Sequence, residues 1–387
     1  MLAADALARA RALFPLTSQG RIYIDHAAVS PFSTRVVQAV QGHLRERSTG
    51  ILETLPEDMA VLSDCRLLVQ RLINAESPDR IALVPNTSDG INIVASGLPW
   101  KAGDRVLLND AEFPANVYPY RNLECLGVTL DILHAEEGGV SPEMIERMLT
   151  PSTRLVGLSA VQYLSGYRAD LESIGALCRR RNVLLVVDAI QAAGAVRLDV
   201  RRMRIDALAS GCQKWQMSPQ GAGWLYVTEE LQSQIRPAHF GWLGVADIMN
   251  FADLAQAPAP GARRYEGGSW VMPSLYGMRA ALQTILEYDT EAIERHLLDL
   301  TGIVLEEANR SGSLSIHTPR ERNRRGGIAT LGLPAGVDPE RVHARLLSRG
   351  IFLSLRRGKL RLSPHFYNSP DDVRAAVEAI LECLRTA

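Results

Sequence analysis

The chain lacks most of the features that assign a protein to a class by composition. It has no excess of charge: Lys plus Arg number 42 against 43 Asp plus Glu, a formal net charge of −1. That balance argues against nucleic acid or a membrane surface as a partner. Local basic clusters at 179–181 and 320–325 read more simply as solvated faces or a loop. The five cysteines (Cys65, Cys125, Cys178, Cys212, Cys383) are scattered, odd in number and without a CxxC pair. Neither a disulfide framework nor a metal site is therefore expected. No apolar stretch approaches the length of a membrane span. Residues 1–14 read as an amphipathic helix interrupted by Asp5, without the continuous apolar core of a signal peptide, so a reducing, cytoplasmic setting is the expectation. No G-x-G-x-x-G follows a strand and no G-x-x-x-x-G-K-[ST] occurs, which speaks against a nucleotide-binding fold of those types. Internal repeats and low-complexity segments are also missing.

What remains is a chain of 387 residues, 47% of them apolar, long enough for a large α/β domain and a smaller one. Between about 80 and 230 short apolar runs alternate with helix-like stretches. The runs are 80–84, 104–108, 154–158, 183–187, 205–209 and 223–227, with a helix expected at 171–181. This alternation predicts βα units and a mainly parallel sheet covered on both faces. Residues 245–263, rich in Ala, Pro and Gly, read as a linker or loop. A long helical region at 275–309 suits a connection between domains. Strands near 328–331, 351–355 and 359–362, with helices at 339–348 and from 369, predict a small α+β unit. The expected division is a large domain over 18–258 and a C-terminal domain over 259–387, on which residues 1–17 pack.

Ligands of open parallel sheets bind at the carboxyl ends of the strands, so the residues there are the candidates. Lys214 stands in Ser210-Gly211-Cys212-Gln213-Lys214, just past the run 205–209. Asp188 directly follows the run 183–187, with Gln191 close behind. An acid there is costly to bury unless it is paired or hydrogen-bonded, the alternative being a cap on the next helix. A lysine and an acid facing one crevice suit pyridoxal phosphate (PLP). Its aldehyde needs a Schiff-base lysine and its pyridine nitrogen an acidic partner. Thr87 and Ser88 open a helix after the first run, where hydroxyls and amides suit a phosphate or serve as an ordinary cap. Phe113, in Glu112-Phe113-Pro114, can cover a planar cofactor or belong to the core. Gln162 and Tyr163 follow the third run and can reach a ligand or lie on the loop surface.

The residues from Tyr23-Ile24-Asp25-His26-Ala27-Ala28 to Arg361-Leu362-Ser363 resemble the class V aminotransferase and cysteine-desulfurase-like family of fold-type I PLP enzymes. The most specific stretch runs from Asp188-Ala189-Ile190-Gln191 through Gln213-Lys214 to Gly221-Ala222-Gly223. The resemblance implies a large domain with a mainly parallel seven-stranded sheet and a smaller α+β C-terminal domain. It implies that Lys214 bonds the cofactor, Asp188 meets the pyridine nitrogen, and Gln191 contacts the ring hydroxyl. Thr87, Ser88 and Gln213 would lie at the phosphate, with Gln162 also touching the cofactor. Ser269, in Arg264-Tyr265-Glu266-Gly267-Gly268-Ser269, would reach the phosphate of a neighbouring subunit, implying a homodimer with shared sites. Arg361 would hold the substrate α-carboxylate, with His26 and Tyr163 beside the substrate.

The pattern departs from the family in three places. Gln213 stands where His is common. Phe113 stands where the desulfurase branch stacks a His, closer to a kynureninase-like pattern. The segment Ser354-Leu355-Arg356-Arg357-Gly358-Lys359 is short and has no cysteine, which disfavours a persulfide-forming desulfurase. The expectation is an enzyme of aminotransferase or lyase type acting on a small amino substrate. An epimerase, a kynureninase-like hydrolase or a non-catalytic relative are the alternatives.

Overall fold

The computed structural model describes residues 1–50 and 54–385. Its centre is a seven-stranded sheet. The strands are β1 (Ile81–Val84), β2 (Arg105–Asn109), β3 (Thr129–Leu133), β4 (Thr153–Ser159), β5 (Leu184–Asp188), β6 (Ala207–Gly211) and β7 (Gly223–Val227). They lie in the order β1-β7-β6-β5-β4-β2-β3. The pairs from β6 to β3 are all parallel, while β7 runs against both β6 and β1. The sheet is mainly parallel, as expected, and the carboxyl ends of β2, β4, β5 and β6 share one edge.

Side chains alternate between the two faces of each strand. Ile81, Leu83, Leu185, Val187 and Leu208 enter one core. Ala82, Val84, Val186, Ala207 and Ala209 enter the other. Helices cover both faces, so an inner strand has no polar side, and that is why these strands read as unbroken apolar runs. The exception is β3 at the sheet edge, Thr-Leu-Asp-Ile-Leu, in which Thr129 and Ile132 are exposed. Asp131 there pairs with Arg105 on β2.

A second, antiparallel sheet follows, from β8 (Ser315–Ile316), β9 (Ala329–Gly332), β10 (Ser354–Arg356) and β11 (Lys359–Leu362), in the order β10-β11-β9-β8. It has its own core, including Leu300, Val304, Leu331, Leu346, Leu360, Val377 and Ile380. Ile22–Tyr23 pairs in parallel with Ile351–Phe352, so the expected strand at 351–355 is divided between two partners. The expected helical region at 275–309 is two helices, Met272–Glu287 and Thr290–Ser311. The break falls at Asp289, whose φ of 62° ends one helix while its carboxylate accepts the Ala292 amide at 3.3 Å. The segment around 245–263 has only single-turn helices. Arg263 binds it through the carbonyls of Leu243 (2.8 Å) and Val245 (2.9 Å).

Candidate active site

Lys214 follows β6 by three residues, and its half-buried side chain lies among charges. Its Nζ lies 5.6 Å from the centroid of the Phe113 ring. Burial lowers the pKa of the ammonium; Asp188 opposes that shift, and Arg361 and Arg356 reinforce it. The backbone around it is fixed from several sides. Ser30 donates its hydroxyl to the Lys214 carbonyl and its amide to the Gln213 carbonyl (3.0 Å). Thr87 Oγ1 accepts the Gly211 amide at 2.8 Å, joining the start of the helix Thr87–Gly97 to the end of β6. The cap of that helix is Asn86, which accepts the Asp89 amide at 2.9 Å, so the Thr87 and Ser88 hydroxyls are not spent on capping.

Asp188 ends β5, in register with Ala209 on β6 and Ser159 on β4. It is buried. Its Oδ1 accepts the Ile190 amide at 2.9 Å, and its other oxygen has no hydrogen-bond partner among the described residues. Burial raises its pKa; the Ile190 bond and Lys214 pull it down, while the nearby Glu112 carboxylate pushes it up. Glu112 received no role from the sequence, yet it organises this edge of the sheet. Its two oxygens accept from Asn109 Nδ2 (2.7 Å), Asn116 Nδ2 (2.9 Å), the Ser159 amide (2.9 Å), the Ser159 hydroxyl and Gln162 Nε2 (2.7 Å). Because Gln162 gives its amino group to Glu112, its Oε1 is left buried and unpartnered. The signal for Glu112 was the one that exposed Asp188, an acid just past a buried strand.

Arg361 enters from β11 and is almost wholly buried. It donates to the Tyr163 carbonyl at 2.8 Å and to Ser354 Oγ at 3.2 Å, and lies 3.6 Å from Asp25 Oδ1. Its Nε has no partner. Burial brings its pKa down to about 10. Asp25, held by Ser354 Oγ at 2.6 Å, was also missed as a site residue; its burial raises its pKa. The signal was available in its place directly after the apolar Ile24.

Other candidates sit at the margin of this cluster. Phe113 is 44% exposed and meets Tyr163 edge-on at 5.4 Å, so it belongs to a surface cleft and not the core. Gln191 is buried, with Oε1 accepting Trp215 Nε1 at 2.8 Å and Nε2 donating to the Ala27 carbonyl at 3.0 Å. Gln213 is partly exposed. Ser269 is exposed and lines a cleft of about 470 Å³ with Pro85 and Asp89, beside the Thr87 turn. His26 lies behind the site, not in it. Its Nδ1 is 2.9 Å from the Ser363 carbonyl and its Nε2 is 3.0 Å from the Tyr367 hydroxyl, so neither nitrogen is free for a substrate. A carbonyl only accepts, which fixes the proton on Nδ1.

His365 is the second buried imidazole in this layer. It donates from Nε2 to the Trp215 carbonyl (2.7 Å) and accepts the Phe366 amide at Nδ1 (2.7 Å), so it too is neutral. Burial holds the His26 pKa well below 6.5 and brings that of His365 down to about 4. The unfolded chain therefore takes up protons first as the pH falls. The associated stability is complete above about pH 6.5 and is lost towards pH 4, by up to about 3 kcal/mol for His365. Urea unfolding at pH 7.5 and pH 4.5 is expected to show this loss, and His365→Asn to reduce it. An unchanged pH dependence in that variant would refute the assignment.

Among the described residues there is no cluster of His, Cys, Asp or Glu suited to a metal, and no helix is long and apolar enough to cross a membrane. The edge does fit PLP. It offers a half-buried amine, a buried acid on the adjacent strand, an aromatic face and hydroxyls at a helix start. Gln162 Oε1 and Arg361 Nε are buried polar atoms still without partners. Fold and site together define a PLP-dependent enzyme of fold-type I. The chain belongs to the class V aminotransferase family, whose model matches residues 22–374. It is 28% identical to an uncharacterized aminotransferase, YcbU, of Bacillus subtilis, over 96% of each chain. Other relatives are named probable cysteine desulfurases. The apo structure of a cysteine desulfurase from Thermococcus onnurineus superposes with a TM-score of 0.89 at 24% identity, covering 100% of this chain and 99% of that one. A mutant of C-DES with glycine covalently linked to the PLP cofactor superposes at 0.87 and 22% identity, covering 96% and 98%.

Proposed function

We propose that the enzyme acts on a small, carboxylate-bearing amino substrate through Lys214, with an aminotransferase- or lyase-type outcome. The observation that carries this reading is the buried Arg361 guanidinium. It keeps an unpaired Nε and lies close enough to Lys214 to lower its pKa. PLP, when bound, supplies an electrophilic carbonyl and an electron-withdrawing ring. Lys214 would hold it and later carry a proton on Nζ, a role suited to an amine whose pKa burial lowers. Asp188, fixed by the Ile190 amide, would face the ring nitrogen with its free oxygen. Thr87 and Ser88, with the first amides of their helix and Gln213, would hold the phosphate. Phe113 would cover the ring, and the second Nε2 hydrogen of Gln191 and Oε1 of Gln162 would meet its substituents. Arg361 would orient the carboxylate beside Tyr163.

Sulfur transfer through a protein thiol finds little support in this geometry. Strands β10 and β11 are joined by Arg357 and Gly358 alone, at φ of 48° and 72°, a tight hairpin turn with no room for a loop. Cys65, Cys178, Cys212 and Cys383 are buried. The exposed Cys125 precedes β3, at the amino ends of the parallel strands and so on the opposite rim from Lys214. A homodimer with shared sites is part of the proposal. It is supported by the exposed apolar side chains of Phe240, Trp242, Phe251 and Leu254 and by Ser269. Sedimentation as a single species of twice the chain mass is the expected result.

The deciding test is a panel of amino acids offered to the PLP-loaded protein, with product analysis. A keto acid with aminated cofactor identifies transamination, and a keto acid with ammonia and unchanged cofactor identifies elimination. A racemised substrate would replace this reading with an epimerase. If no amino acid alters the cofactor spectrum, the proposal fails.

A further inference from the structure

The hairpin that carries Arg361 also carries positive charge that forms no ion pair among the described residues. Arg356 and Lys359 face each other directly across β10 and β11, and Arg357 lies in the turn between them. Like charges placed opposite one another in a ladder repel. Among the described residues, neither Arg356 nor Lys359 forms an ion pair. The one hydrogen bond of the Arg356 guanidinium goes to the carbonyl of its neighbour Leu355 (3.2 Å). Glu137 and Glu321 line a cleft together with Lys359, but Glu137 is paired with Arg324 (3.4 Å).

Register decides where this charge points. Ser354 is opposite Arg361 and Arg356 is opposite Lys359, so all four side chains share one face of the hairpin. Ser354 Oγ and Arg361 are already in contact there. Arg356 and Arg361 are diagonal neighbours, about 7–8 Å apart along the ladder and within reach of long side chains. The field of Arg356 is felt at Lys214, Arg361 and Asp25, so its charge bears on the cluster even though the side chain reaches water. Asp25 is engaged by Arg361 and Ser354 and feels the charge of Arg356 as well, so one carboxylate stands against two guanidinium groups.

We propose that the substrate carries a second acidic group, which Arg356 receives, with Lys359 adding charge across the hairpin, while Arg361 holds the first. The spacing of the two arginines suits an amino acid whose side chain ends in a carboxylate a few bonds from Cα. The inference rests on the reading of Arg361 as the carboxylate-binding residue.

The test uses the PLP-loaded protein titrated with matched pairs, aspartate against asparagine and glutamate against glutamine, followed by the absorbance of the bound cofactor. At least one acid is expected to bind about tenfold or more tightly than its amide. In Arg356→Gln that ratio falls towards one, chiefly through loss of affinity for the acid, and Lys359→Gln lowers it by a smaller factor. Both positions lie at the hairpin surface, so an unchanged melting temperature is expected to accompany the effect. Equal affinity for acids and amides in the unaltered protein overturns the inference but leaves the reading of Arg361 standing. So does an Arg356→Gln effect of equal size on both, which would place the two arginines on one carboxylate. If amines without any carboxylate perturb the cofactor as strongly as these amino acids, the reading of Arg361 fails, and the inference with it.

Discussion

Replacing Lys214 with alanine is expected to give a folded protein that binds PLP without a covalent bond and turns over slower by about 10³-fold or more. The Phe113 ring lies 5.6 Å from Lys214 Nζ, and the charges felt there are those of Asp188, Arg361, Arg356 and Asp25, none of which offers a primary amine. Folding is expected to survive, because Asp188, whose pKa burial already raises, takes up a proton and so avoids an unpaired buried charge. Without the lysine charge, the Asp188 pKa rises further, since burial and Glu112 both raise it. Borohydride reduction followed by peptide mass analysis checks the assignment. The unaltered protein is expected to carry the cofactor on the peptide containing Lys214, and the variant on none. Label on a different lysine, or turnover that survives the substitution, would remove Lys214 from the centre of the site.

The interior of the large sheet was legible in the sequence because a strand buried on both faces is apolar at every position. The runs around 81–84, 184–187 and 207–209 could be recognised without knowing their partners. Strand β3 was not named among the runs because it lies at the sheet edge, half exposed, with Asp131 turned to Arg105. The break at Asp289 was hidden because the helices on both sides of it are amphipathic and nearly continuous in pattern. Only a positive φ at a residue that also caps the next helix separates them. At the site, the residues at strand ends were readable one element at a time. Asp25, Ser354 and Arg361 form a cluster from segments more than 300 positions apart, which no local pattern joins. His26 illustrates the opposite error. A polar residue beside a motif looked available, whereas in the fold Ser363 and Tyr367 occupy both of its nitrogens.

Substitution of Glu112 is expected to cost the fold heavily. In Glu112→Ala, the donors of Asn109, Asn116, Ser159 and Gln162 all lose their acceptor inside the protein. Removing the centre of a buried charged network of this kind costs about 3–5 kcal/mol, read as a lower urea midpoint with an unchanged slope. Glu112→Gln behaves differently for a specific reason. Its carbonyl can still receive the three donors that now converge on Oε1, namely Asn109, the Ser159 amide and Gln162. Its new amino group would face Asn116, whose Oδ1 is at present buried and unpartnered. A flip of the Asn116 amide supplies an acceptor, and the Ser159 hydroxyl can turn to accept as well. The expected loss is therefore about 1 kcal/mol. The same substitution removes the negative charge that raises the Asp188 pKa, so in Glu112→Gln the titration of Asp188 moves to lower pH. A shift of the pH-dependent absorbance of the PLP-loaded protein to lower pH, in a variant of nearly normal stability, would show Glu112 tuning Asp188 through its charge. Equal destabilisation by alanine and glutamine, with no such shift, would show that the carboxylate charge itself holds these strand ends together and that its influence on Asp188 is negligible.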